Sequence, residues 1–98
     1  MIAGTRFLYP DIYLEGVMDD QREYRTSDLY FAAYLITAGC TLKRTDRVGN
    51  RVFFIYDYSP LLEDLKLQYF NGEAKVKAQH YASQIKNLKS LTHQIISS

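Results

Sequence analysis

The segment 51–58 constrains the fold of this chain more than any other part of its sequence. It is rich in valine, phenylalanine, isoleucine and tyrosine, which are residue types that favour β-strands. Neighbouring side chains of a strand point to opposite faces, so Val52 and Phe54 share one face, and Phe53 and Ile55 share the other. Because both faces are apolar, we expect other parts of the chain to cover this strand on both sides.

Two elements are predicted before this strand. Apolar residues recur at helical spacing over residues 29–38, after helix-capping types at 26–28 and before a glycine that can end a helix. Residues 41–46 are mostly polar, which is typical of an edge strand, and residues 48–50 supply a turn. The sequence therefore predicts a helix followed by a β-hairpin.

Two more helices are predicted after the strand. Ser59-Pro60 is a strong helix start, because serine caps the helix and proline tolerates its first position. Asn71-Gly72 ends that helix. The last segment, from Ala74 to Ile96, contains no glycine or proline and has an apolar seam of helical spacing. This seam is suited to internal packing or to pairing with another chain, and the sequence leaves both open.

These elements predict an α+β fold in which a two-stranded antiparallel hairpin packs with about three helices, in the order α-β-β-α-α. A chain of 98 residues is expected to form a single domain over 1–98, with its helix-hairpin-helix-helix core at 25–97. Residues 1–24 are an N-terminal extension in which a further strand is predicted within 9–18. This apolar extension packs on the domain, where the outer face of the strand 51–58 is its expected place, or docks on a partner.

The start of the predicted core has a recognisable pattern. It reads Y-x-T-x-D-L-x-x-A-A-x-L from Tyr24 to Leu35, and the aromatic strand at Val52-Phe53-Phe54 follows. In this pattern the chain resembles an uncharacterised family of small bacterial and phage domains, over residues 24–95. The resemblance implies an origin in a phage, a plasmid or another mobile element, or in a bacterial host of one. It brings no catalytic or binding residues.

The sequence argues against catalysis. Cys40, the single cysteine, would follow the C-terminal end of a helix, where the dipole raises a thiol pKa. His80 and His93 lie on one predicted helix more than three turns apart, which is too far to share a metal ion. The sequence has no glycine-rich phosphate loop. We therefore predict no enzyme activity, no metal or other cofactor, and no small-molecule substrate.

The cellular setting follows from similar observations. No apolar run approaches the roughly 18–20 residues that span a bilayer. Residues 1–10 lack the uninterrupted apolar core of a secretory signal. One cysteine cannot form an intrachain disulfide. These features predict a cytoplasmic protein without a membrane partner.

Aromatic usage favours an interaction role. The chain has nine tyrosines and no tryptophan, and tyrosine suits half-buried surfaces and interfaces. We predict a non-catalytic interaction module, an accessory or inhibitor from a phage or mobile element, that binds a protein partner or a second copy of itself. The predicted contact residues are Tyr9, Tyr13, Tyr24 and Tyr58, with the basic hairpin residues Lys43, Arg44, Arg47 and Arg51.

Charge asymmetry supports an alternative function. The first 28 residues hold three basic and six acidic side chains, whereas the remainder holds nine basic and five acidic ones. A basic hairpin beside a basic helix is suited to contact phosphates. The alternative is therefore a nucleic-acid-binding accessory protein, and its predicted contacts are Arg44, Arg47, Arg51, Lys86 and Lys89.

Overall fold

A computed structural model of the chain describes the backbone of residues 16–18 and the whole of residues 22–97. This part of the chain contains four strands: β1 (Gly16–Met18), β2 (Glu23–Thr26), β3 (Leu42–Val48) and β4 (Arg51–Asp57). They form one antiparallel sheet in the order β1-β2-β4-β3. The strand richest in β-branched and aromatic residues, β4, is therefore paired on both edges, as its composition favours.

Three helices of the described part pack on one face of this sheet: α1 (Leu29–Thr37), α2 (Pro60–Phe70) and α3 (Ala78–Ser97). Val52, Phe54 and Tyr56 of β4 form a common core with apolar side chains from all three helices. The prediction of an α+β fold with three helices is confirmed.

The prediction of a two-stranded sheet is wrong, because the sheet of the described residues has four strands. β2 lies beside β4, where Tyr24 is opposite Tyr56, and β1 lies on the other edge of β2. The described elements therefore follow the order β-β-α-β-β-α-α, and β2 crosses the predicted boundary between residues 24 and 25. Of the strand predicted within 9–18, Gly16–Met18 forms β1, and residues 9–15 lie outside the described residues.

Capping side chains fix the starts of α1 and α2. Asp28 Oδ1 accepts hydrogen bonds from the backbone N–H groups of Tyr30 at 3.0 Å and Phe31 at 3.1 Å. Ser59 Oγ accepts one from the N–H of Leu62 at 3.1 Å. These bonds satisfy N–H groups that have no partner inside the first helical turn. The predicted helix starts are therefore confirmed.

Tyr56 joins the sheet to α1. Its side chain is fully buried, and its hydroxyl donates a hydrogen bond to the carbonyl oxygen of Ala32 at 2.8 Å. Ala32 and Ala33 are also fully buried, so their small side chains let α1 lie close to β4. Burial raises the pKa of the Tyr56 phenol well above its usual value, which keeps the hydroxyl a donor.

The replacement Tyr56→Phe tests this contact. We expect the free energy of unfolding to fall by about 0.5–1.5 kcal/mol, because one buried hydrogen bond is lost while the ring stays in place. Tyr58→Phe is the matched control, since Tyr58 is half-buried at the end of β4. Urea unfolding followed by circular dichroism measures both. An equal loss in the two variants would contradict the role given to the Tyr56 hydroxyl.

Candidate interaction surfaces

The face of the sheet that points away from the helices carries a second group of buried side chains. Phe53 and Ile55 of β4 are fully buried there, as the apolar character of both strand faces predicts. The guanidinium groups of Arg25 and Arg51 lie over the Phe53 ring, at 5.3 and 5.5 Å from its centroid. Arg25 Nη2 also donates a hydrogen bond to Asp46 Oδ2 at 3.3 Å. This outer face therefore combines an apolar centre with charged neighbours.

The buried carboxylate of Glu23 is the centre of the charged group. Arg44 donates two hydrogen bonds to it, from Nη1 to Oε2 at 2.8 Å and from Nη2 to Oε1 at 3.0 Å. Lys43 Nζ lies 2.7 Å from Glu23 Oε2 and 3.1 Å from Asp57 Oδ1. The hydrogen bonds from Arg44 and then from Lys43 lower the pKa of Glu23 to about 2. The carboxylate is therefore charged at neutral pH.

A β-bulge allows two consecutive cations to reach one carboxylate. In a regular strand, neighbouring side chains point to opposite faces. The register of β3 against β4 shifts between Leu42 and Arg44, and Lys43 is the extra residue. Lys43 and Arg44 can therefore both contact Glu23.

The tyrosines predicted as contacts lie in different places. Tyr9 and Tyr13 fall outside the described residues. Tyr24 is buried in the helix-side core, where its ring meets that of Phe31 edge-on with centroids 6.0 Å apart. Tyr58 is half-buried, and the guanidinium of Arg22 lies 5.2 Å from its ring centroid. The two that the structure describes, Tyr24 and Tyr58, therefore do not form one exposed surface.

The basic residues predicted as contacts are also divided. Lys43 and Arg44 bind Glu23, whereas Arg47 donates hydrogen bonds to the carbonyl oxygens of Gly49 at 2.7 Å and Ile95 at 2.9 Å. The Ile95 carbonyl belongs to the last turn of α3, a site that favours a cation.

The five residues predicted to bind nucleic acid therefore do not share one surface. Lys86 and Lys89 are exposed on α3, which packs on the face of the sheet opposite to Arg44.

An exposed apolar surface lies at the C-terminal end of α2. Phe70 is 63% exposed and Leu67 is 55% exposed, the two largest values among large apolar residues of the described part. The two are three positions apart, so they share one side of the helix. The ring of Phe70 packs against those of Phe31 and Tyr69, with centroids 5.4 and 5.2 Å away. We name Leu67 and Phe70 the α2 patch.

This patch was not predicted from the sequence. Leu62 and Leu65 form the buried side of α2. Leu67 and Phe70 lie on the other side of the helix, and their spacing was the available signal.

The described residues were predicted to hold no metal ion, and Cys40 was predicted not to be a reactive thiol. No group of three His, Cys, Asp or Glu side chains in this part of the chain is placed to hold an ion. Burial raises the pKa of the Cys40 thiol, so it is not activated as a nucleophile. Among the described helices, none is both long and apolar enough to cross a bilayer.

Most of the chain matches a known protein family. A family model described as "Domain of unknown function (DUF5659)" matches residues 21–94. The matched region runs from just before β2 into α3, and it includes both Glu23 and the α2 patch. No curated protein and no solved structure matches the chain.

The replacement Glu23→Gln tests the charged group on the outer face. We expect the free energy of unfolding at pH 7 to fall by about 1–3 kcal/mol, because Arg44 and Lys43 lose their anion but can still reach water. Glu73→Gln, at an exposed position of the loop before α3, is the control and should change stability little. Urea unfolding at pH 7 measures both variants.

The same variant has an expected pH dependence. The folded-state pKa of Glu23, about 2, lies below its usual value of 4.5. Its stabilising contribution is therefore complete above pH 4.5 and is lost as the pH falls toward 2. The difference between wild type and Glu23→Gln should shrink over that interval. A difference that stays constant from pH 7 to pH 2 would contradict the charged contact.

Proposed function

We propose that this chain, which belongs to the family described as Domain of unknown function (DUF5659), is a non-catalytic module that binds a protein partner through the α2 patch. The observation that carries this proposal is the exposure of Leu67 and Phe70 on one side of α2. Two large apolar side chains held together at the surface are the usual anchors of a protein interface.

The energetics of the patch favour binding. Burying a leucine or phenylalanine side chain contributes about 1.5–3 kcal/mol. The Phe70 ring is already held against Phe31 and Tyr69, so little rotamer freedom is lost on binding. Asp64 and Gln68 are exposed on the same helix and provide a polar rim. We expect the partner to insert an apolar side chain between Leu67 and Phe70.

The contacts predicted from sequence have a smaller part in this proposal. Tyr24 is buried, and the charges of Lys43 and Arg44 are paired with Glu23, although these two side chains stay 43% and 41% exposed. Tyr58 keeps part of its ring at the surface and can extend the interface. The roles of Tyr9 and Tyr13 stay predictions.

The proposed setting is an accessory or inhibitory protein of a phage or other mobile element, acting in the cytoplasm of its bacterial host. This origin is what the family resemblance of the segment from Tyr24 to Leu35 implies. The single cysteine, Cys40, suits a reducing compartment.

Site-specific crosslinking tests the proposed surface. A photoreactive amino acid at position 67 should yield one stoichiometric adduct in cells of the natural host. The protein found in the adduct is then purified and titrated with single-residue variants of this chain. If sedimentation shows self-association, a second copy of the chain takes its place. Phe70→Ser and Leu67→Ser should each weaken binding by about tenfold or more, since each removes about 1.4 kcal/mol or more.

Leu61→Ser is the matched control for this experiment. Leu61 is 53% exposed, close to the exposure of Leu67, but it lies at the other end of α2 beside Cys40 and Ser59. It should leave the affinity within about twofold of wild type. The absence of an adduct at position 67, or equal losses in Leu61→Ser and Leu67→Ser, would contradict the proposed surface.

A further inference from the structure

The outward side of α3 is a second surface with its own chemistry. The helix has 20 residues, which corresponds to a length of about 30 Å. Among its side chains only Leu88 is buried. The exposed side chains include Ser83, Lys86, Asn87, Ser90 and His93, which are small, polar or basic.

This part of the chain carries positive charge without negative charge. From Ala74 to Ser97 the sequence contains four lysines and no aspartate or glutamate. All four, Lys75, Lys77, Lys86 and Lys89, are exposed. None of them takes part in an ion pair of the described residues, whereas Lys43 and Arg44 do. The four lysines of α3 and its lead-in are therefore not ion-paired within the described part of the fold.

We propose that the outward side of α3 binds the backbone of double-stranded DNA, at a site separate from the α2 patch. Exposed lysines neutralise phosphates, and serine and asparagine side chains donate hydrogen bonds to phosphate oxygens. A carboxylate on this surface would repel the phosphates, and the sequence of α3 has none.

The residue types on α3 favour a duplex over a single strand. Binding of unpaired bases depends on exposed aromatic rings on which they stack. Tyr81, the only phenylalanine, tyrosine or tryptophan of α3, is half-buried, and its hydroxyl donates a hydrogen bond to the carbonyl oxygen of Tyr30 at 3.2 Å. A single helix with small side chains fits the major groove of B-form DNA, whereas the deep, narrow major groove of duplex RNA does not admit it.

Fluorescence anisotropy with a labelled 20-base-pair DNA of mixed sequence tests this inference, at salt concentrations from 50 to 200 mM. The logarithm of the association constant should fall with the logarithm of salt with a slope of about −2 to −4, because each phosphate contact contributes about −0.9. Single-stranded DNA and duplex RNA of the same length should bind at least about fivefold more weakly.

Two variants on α3 and one control locate the site. Lys86→Glu, and Ser83→Glu combined with Ser90→Glu, should each lower the affinity for duplex DNA by about tenfold or more at 50 mM salt. Lys66→Glu makes the same charge reversal as Lys86→Glu, but on α2, and should change affinity by less than about threefold. Circular dichroism verifies that each variant is folded. Phe70→Ser should bind DNA as wild type does, which separates this inference from the proposed protein interface.

Several outcomes would overturn the inference. The inference is wrong if duplex DNA does not bind at 50 mM salt, or if Lys66→Glu and Lys86→Glu lower the affinity equally. It is also wrong if single-stranded DNA binds as tightly as duplex DNA or more tightly. Polyglutamate that competes as well as DNA, at equal charge concentration, would assign the α3 surface to an acidic protein instead.

Discussion

The contact between Glu23 and the two cations Arg44 and Lys43 holds the sheet of this protein together. Glu23 lies on β2 and Arg44 on β3, and these strands do not pair with each other because β4 runs between them. The two side chains therefore meet across the outer face of β4, above the row that contains Ile55. A bidentate, charge-assisted contact of this kind fixes the positions of three strands at once. It also explains how a strand as short as β2 remains at the centre of the sheet.

This contact lies on the outer face of the sheet, whereas both proposed binding surfaces lie on the helices. Lys43 and Arg44 of β3 would be natural phosphate or protein contacts if their charges were unpaired, but Glu23 and Asp57 pair with them. On the helices, by contrast, apolar and basic side chains remain exposed. Leu67 and Phe70 keep apolar surface exposed on α2, and the lysines of α3 have no carboxylate on their own helix. The two proposed binding surfaces therefore both belong to the helical layer.

Local signals in the sequence predicted the helices and the β3–β4 hairpin. Ser59 and Asp28 cap helices through bonds to nearby residues, and the alternation of Val52 and Phe54 with Phe53 is visible without knowledge of the fold. The sequence did not predict all of β2, because the contacts of this strand are made with residues far away in the chain. Glu23 and Arg25 are charged, so β2 resembles a solvated segment until Arg44 and Asp46 are placed beside it.

The availability of side chains for binding was harder to predict for the same reason. Lys43 and Arg44 are basic residues in a predicted edge strand, which by itself indicates an exposed binding surface. Their pairing with Glu23 depends on the β-bulge in β3 and on β2, a strand twenty residues earlier in the chain. Neither feature has a local signature in the sequence. The exposure of Leu67 and Phe70 likewise depends on the tertiary packing that buries Leu62 and Leu65 of α2.

A double-mutant cycle between Glu23 and Arg44 tests this account most directly. The free energy of unfolding is measured for wild type, Glu23→Gln, Arg44→Met and the double variant. We expect a coupling energy of about 1.5–3 kcal/mol, the range for hydrogen bonds to charged groups. A parallel cycle between Glu23 and Arg47, which does not contact it, should give less than about 0.5 kcal/mol. A Glu23–Arg44 coupling as small as that of the control pair would contradict the account.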